Sequence, residues 1–300
     1  MRTLLLPIAL LFAANPALAA EPSTFHYDPA VSVPITVAAG ATFVLMNYVV
    51  NEDAVPLGLV SNPPFLDAWV EPRFNQTAHH ASDVLLYGTI GLGLAASVAD
   101  GVHDGESPWV RTGIYLETFA INGLITDVVK SAQDRPRPFT ALDPDTLDAE
   151  TRAEWEEKRA EADSERSFPS GHASNTAALA FCAARMFDLS GATPAGRAAA
   201  YGTAGALSVG VASLRVAAGR HHPSDVLAGA LIGMLVWGVL WVLSMLGFGN
   251  KVDPVEVSYE PLDDGRRLEE LLPDGVVRPL RPLVPNDEAP PPPPSEGAGE

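Results

Sequence analysis

Three polar clusters between positions 130 and 225 of a mostly apolar chain carry cations, histidines and helix-capping residues of types that can do chemistry. The first reads Lys130-Ser131-Ala132-Gln133-Asp134-Arg135-Pro136-Arg137-Pro138. It sets two permanent cations, Lys130 and Arg137, beside prolines that restrict the chain. The second is Ser167-Phe168-Pro169-Ser170-Gly171-His172-Ala173-Ser174. Here Ser170 is a good N-cap, and Gly171 lets the backbone approach a ligand with no Cβ in the way. The unpaired amides at such a helix start, with the positive end of the dipole, seat an anion. His172 follows directly and can give or take a proton beside that anion. The third is Arg215-Val216-Ala217-Ala218-Gly219-Arg220-His221-His222-Pro223-Ser224-Asp225. Asp225 lies one turn after His221, so its carboxylate can hold one imidazole nitrogen and leave the other free.

Together these residue types supply what phosphoryl transfer through a covalent histidine needs. Cations and helix-end amides neutralise the phosphate oxygens, one oriented imidazole attacks, and another protonates the leaving oxygen. Singly, each cluster has a plainer reading, as a capped helix with a surface histidine or a positive flank to an apolar helix. A structural role alone would not call for so many cations beside two histidines. Arg135 and Arg220 are extra cations, expected to be exposed. His79, His80 and His103 have no constellation around them and read as ordinary loop histidines. No metal-ligand cluster is apparent, so neither a metal nor another cofactor is expected. A net charge of -18 argues against nucleic acid as a partner.

Apolar segments must position these clusters. The chain is 47% hydrophobic and only 19% charged, which makes a membrane protein the leading class. Residues 1–19 resemble a secretory signal: a basic start, a short apolar core and Ala17-Leu18-Ala19. Residues 31–50 form the first long apolar run of the mature chain, and 51–83 a polar connection. Residues 84–98 are apolar but short for a span. Residues 109–129 are apolar yet carry Arg111, Glu117 and Asp127, charges expected to turn inward or pair. Residues 175–189 and 198–218 are rich in Ala and Gly, suited to close helix packing. Residues 226–248 lack any charge and are the clearest transmembrane segment. The fold class is therefore all-α, a transmembrane bundle of five or six helices. The acidic stretch 143–165 reads as a solvated loop. A helical domain over 20–249 precedes a tail, 250–300, that contains Pro290 to Pro294 and reads as disordered. The single cysteine, Cys182, excludes an intrachain disulfide.

Lys130-x6-Arg137-Pro138, Pro169-Ser170-Gly171-His172 and Arg215-x5-His221-x3-Asp225 resemble, in order and spacing, the three signature motifs of the type 2 phosphatidic acid phosphatase (PAP2) superfamily. One departure is that Leu214 separates Ser213 from Arg215, where the third motif often begins Ser-Arg. The resemblance implies a core shared with vanadium haloperoxidases. It also implies that Lys130, Arg137 and Arg215 bind phosphate oxygens together with Ser170 and the Gly171 amide. His172 would protonate the departing alkoxide, His221 would be the nucleophile, and Asp225 would orient it. His222 competes for the nucleophile role, but the spacing to Arg215 and Asp225 favours His221.

The substrate expected from this resemblance is a lipid phosphate or polyprenyl diphosphate, taken from surrounding membrane lipids. Two other readings stand beside it: a secreted non-specific acid phosphatase and a vanadate-dependent haloperoxidase. Six spans after a cleaved signal would put the site inside the cell. An external site follows if 31–50 does not fully span or if the signal-like segment is retained. A secretion signal is most directly explained by an exported catalytic face, so a bacterial inner-membrane protein with its site toward the periplasm is expected. Homo-oligomerisation is left open.

Overall fold

Helix starts in this chain are set by caps and prolines. The computed structural model describes residues 24–26, 28–46, 64–103, 108–245 and 251–253. The signal-like segment 1–19 lies outside them, as does the tail 250–300 apart from 251–253, which form a strand where disorder is expected. The described elements belong to one unit, Met1–Val255. Helix α1 (Pro29–Leu45) is capped by Asp28 and has Pro29 in its first turn. A single turn, α2 (Pro64–Asp67), precedes α3 (Gln76–His103) and α4 (Pro108–Ser131). Helix α5 (Ala149–Ala160) is capped by Asp148. Helix α6 (Gly171–Leu189) starts after the Ser170 N-cap, whose hydroxyl accepts from the Ala173 amide at 3.4 Å. Helix α7 (Pro194–Ala217) is capped by Thr193, and α8 (Pro223–Met245) has proline in its first turn.

The all-α expectation is met apart from one short antiparallel pair, β1 (Thr24–His26) with β2 (Lys251–Asp253). Three-residue strands leave no readable alternation in a sequence. Two boundaries need correction. Helix α3 begins at Gln76, well before its apolar run, so His79, His80 and Asp83 lie on a helix rather than in a connection. The acidic stretch expected to be a loop contains α5, whose Trp155 is buried with its Nε1–H donating to the Phe139 carbonyl at 2.9 Å.

Helix α6 is the centre of the bundle and packs against α3, α4, α7 and α8. Its Ala173, Ala177, Ala178, Leu179 and Ala184 are fully or almost fully buried. Small side chains allow this crowding. On α8, a Cβ at Gly229 would lie 2.3 Å from the Ser170 carbonyl oxygen, and one at Gly233 would lie 2.2 Å from that of Ser174. Between α4 and α6 the contact is polar: Asn122 Nδ2 donates to Asn175 Oδ1 at 2.8 Å, and Ser174 Oγ donates to Asn122 Oδ1 at 3.0 Å. Arg111, Glu117 and Asp127 are buried, as expected of charges on an otherwise apolar helix, and Arg111 donates to Ser190 Oγ.

Outward faces differ in character. Leu227, Leu231 and Leu235 follow one another at i, i+4 spacing on α8 and are all exposed. By length and composition, Gln76–Asp100 and Pro223–Val242 could each cross a membrane. The first of these corrects the expectation that this segment is too short.

Replacing Gly233 by Val should force α8 off α6 and lower stability by about 1–3 kcal/mol. Thermal unfolding of the detergent-solubilised protein measures this, and an unchanged midpoint would mean that the helices do not meet this closely.

Candidate active site

Backbone hydrogen bonds tie the three polar clusters together. Beyond Lys130 the chain runs extended alongside the approach to α6. The Arg135 amide donates to the Glu165 carbonyl, Ser167 to that of Arg135, and Arg137 to that of Ser164, each at 2.8 Å. The third cluster joins through Phe139 N–H to the Gly219 carbonyl and Ser170 N–H to the Asp225 carbonyl, both 3.0 Å. Gly219 has φ +71°, and a Cβ there would meet the Arg73 carbonyl oxygen at 1.7 Å, so both conformation and space require glycine. The ends of α4 and α7 and the starts of α6 and α8 are thereby held at one end of the bundle.

His221 is only 1% exposed. Its Nδ1 lies 2.6 Å from the Ser167 carbonyl oxygen, which can only accept, so Nδ1 carries the proton and the Nε2 lone pair is left free. Asp225 was expected to orient this ring directly. The structure corrects that: its Oδ2 is 3.7 Å from Nδ1, beyond hydrogen-bond range. Its oxygens instead accept from Ser167 Oγ at 2.6 Å, from the His222 amide at 2.7 Å and from Arg135 Nη1. Asp225 therefore fixes the loop whose carbonyl holds the imidazole. Burial, then the charges of Arg137, Arg215 and Lys130 and the nearby His172, hold the His221 imidazole well below its ordinary pKa. His222 turns elsewhere, with Nε2 3.3 Å from the Pro136 carbonyl oxygen.

Arg135 and Arg220, expected at the surface, are both buried. Arg135 reaches Asp225 and Ser224 through Nη1 and Asp67 through Nη2, the last at 2.5 Å. Asp67 also accepts from the Ser224 amide at 3.0 Å, at the start of α8. Arg220 lies over the rings of Phe74 and Phe139, with its guanidinium carbon 5.3 and 5.1 Å from their centroids. Aromatic cover and hydrogen bonding thus allow cations that looked spare to enter the interior.

His172 Nε2 lies 2.7 Å from Asp83 Oδ1, and that same oxygen lies 3.5 Å from Arg215 Nη1. Arg215 also donates to His79 Nδ1 at 2.9 Å and to Ser82 Oγ at 3.3 Å. His79 is therefore a neighbour of the site, which corrects its reading as a loop histidine. His80 is exposed, with its ring stacked on His79. Neither Asp83 nor His79 stands out in the sequence as a site residue. Their i, i+4 spacing was a usable signal, but only once the helix was known to start at Gln76.

Lys130 Nζ donates to Asp163 Oδ1 at 2.5 Å, and Arg137 Nη2 donates to Asp163 Oδ2. Burial pushes the Asp163 carboxyl up, but Arg137 and Lys130 outweigh it and hold the group well below the usual carboxylate range. The Nε atoms of Arg215 and Arg220 are buried without a hydrogen-bond partner among the described residues. The arrangement thus has donor capacity left over for an anion. Among the described residues no group of three His, Cys, Asp or Glu is placed to hold a metal ion.

Residues 111–246 match the family model of the PAP2 superfamily, whose members are phosphatases. Comparisons with curated proteins and with solved structures gave no match.

Replacing Arg135 by Gln leaves Asp67 and Asp225 buried with less compensation, and should cost about 3–5 kcal/mol. Removing Arg152, whose pairs with Asp145 and Glu156 lie in solvent, should cost far less. Denaturant unfolding of both variants checks the contrast, and equal losses would mean that Arg135 anchors nothing.

Proposed function

We propose that this chain, whose residues 111–246 match the PAP2 superfamily model, hydrolyses lipid phosphate monoesters or diphosphates through a phosphohistidine intermediate. The observation that supports this most is the state of His221. It is a buried neutral imidazole, with one nitrogen committed to a carbonyl and the other free, inside the field of Lys130, Arg137, Arg215 and His172. A nucleophilic histidine needs that combination.

In this reading Lys130, Arg137 and Arg215 bind the phosphoryl oxygens with Ser170 and the Gly171 amide. The His221 Nε2 lone pair attacks phosphorus as the bond to the leaving oxygen breaks. The departing alkoxide, or phosphate, takes the Nδ1 proton of His172, which enters this step as the imidazolium, with its Nε2–H held by Asp83 and its charge supported by the bound phosphoryl dianion. Neutral His172 next takes a proton from the water that attacks the phosphohistidine, which returns His221 and releases inorganic phosphate. Asp225, through Ser167 and the His222 amide, supports the positive charge that His221 carries between the two steps. Arg135 and Asp67 hold Asp225 in place.

A lipid substrate is supported by two helices long enough to cross a bilayer and by the exposed leucines of α8. A site at one end of the bundle would lie at the membrane surface, where a phosphate head group sits above its hydrocarbon chain. With a signal-like start, the face we assign to the site is periplasmic, in a bacterial inner membrane. The exposed leucines weigh against a secreted acid phosphatase.

The test is inorganic phosphate release by the purified full chain from a panel of lipid phosphates, with chelator present. No release from any of them would contradict the proposal. His221→Ala should abolish turnover, whereas His222→Ala should retain most of it; the reverse result would exchange their roles. Because the pKa of His221 is lowered, its neutral form persists as pH falls below the ordinary value of about 6.5. The acid limb of kcat/KM, corrected for substrate ionisation, should therefore lie below 6.5, and a limb above it would contradict a buried neutral nucleophile.

A further inference from the structure

Asp163 lies outside the three motifs, yet its carboxylate sits on two of the three cations assigned to the phosphate. Its two oxygens accept from Lys130 Nζ and Arg137 Nη2, and its charge reaches His221. We propose that Asp163 determines specificity: its carboxylate competes with the phosphoryl group for Lys130 and Arg137, so that only a group of higher negative charge takes their place. This rests on the phosphatase reading above and adds a reason for selectivity.

Geometry favours a competitor over a clamp. The Asp163 side chain is 50% exposed, whereas that of Arg137 is 5% exposed, so the carboxylate can swing toward solvent while the guanidinium stays. Arg137 does not need the carboxylate for its direction. Its Nε donates to the Asp163 backbone carbonyl at 2.8 Å, and its Nη1 to the Arg220 carbonyl at 3.3 Å. The Asp163 backbone is itself pinned. It lies in the 3-10 turn Ala162–Glu165, where Ser164 Oγ donates to the Arg159 carbonyl at 3.0 Å and the Ser164 carbonyl accepts from the Arg137 amide. Rotation of one side chain is enough to clear both cations.

Exchange then depends on charge. A carboxylate brings one negative charge and two acceptor oxygens. A phosphomonoester dianion or a terminal diphosphate brings about two charges and three oxygens, and gains more from the same cations. A phosphodiester, with a single charge, gains little by displacing Asp163. The competitor also weakens the hold on released inorganic phosphate.

Asp163→Asn removes the charge and keeps the shape, and Asp163→Ala removes the oxygens as well. Both are assayed as full chains in detergent. The readouts are the inhibition constant of inorganic phosphate against p-nitrophenyl phosphate, and the ratio of kcat/KM for that monoester over bis(p-nitrophenyl) phosphate. If the seat is latched most of the time, phosphate should inhibit the variants at least about tenfold more tightly, and the monoester preference should narrow. Unchanged or weaker phosphate inhibition in variants of a hydrolysing enzyme overturns this proposal alone, and means that the carboxylate positions the cations. Failure of both variants to fold overturns it as well, because Asp163 would then be a structural clamp. A wild-type chain that neither hydrolyses the monoester nor binds phosphate by calorimetry overturns both this proposal and the phosphatase reading.

Discussion

The Arg135 guanidinium is buried between two buried carboxylates, Asp67 and Asp225, and this ion chain decides where the rest of the site can lie. It joins the turn α2, the extended segment after α4 and the first turn of α8. A buried charge left without its partner is strongly destabilising, so none of the three segments can drift independently. Through Asp225 the same chain reaches Ser167 Oγ, and the Ser167 carbonyl in turn holds His221 Nδ1. The orientation of the imidazole is therefore set by a backbone carbonyl whose own position is fixed electrostatically.

Around that imidazole the site carries an excess of positive charge. Lys130 and Arg137 share the Asp163 carboxylate and Arg215 lies beside that of Asp83, with His172 attached to Asp83 and His79 to Arg215, while Asp127 and Glu161 add negative charge near Lys130 and Arg220. A cluster of this kind is costly to assemble without an anion, and its own carboxylates are the substitutes it keeps within the fold. Small residues make the assembly possible. Gly229 and Gly233 let α8 approach the carbonyls of α6, and Gly219 lets the third cluster turn beneath Arg73.

Much of the site was legible in the sequence because its charge-bearing residues come in short local groups. Lys130 with Arg137, Ser170 with His172, and Arg215 with His221 were readable from type and spacing. So were the start of α6 and the inward turn of Arg111, Glu117 and Asp127. What could not be read depends on distant partners or on backbone atoms. Arg135 looks like a surface cation until Asp67, 68 residues away in sequence, is brought against it. The Ser167 carbonyl leaves no mark in sequence, so Asp225 was given the contact that this oxygen makes. Asp83 was hidden because the first two turns of α3 are polar. The acidic composition of α5 concealed a helix that is anchored mainly by one tryptophan.

In the proposed mechanism the His221 Nε2 becomes bonded to phosphorus during turnover. The most direct test is an alkaline quench of the enzyme during steady-state hydrolysis of a 32P-labelled substrate, followed by mapping of the labelled peptide. An acid-labile, alkali-stable label on His221, phosphorylated at Nε2, is expected, with no label in His221→Ala. Label on His172, His222 or Ser170 would contradict it.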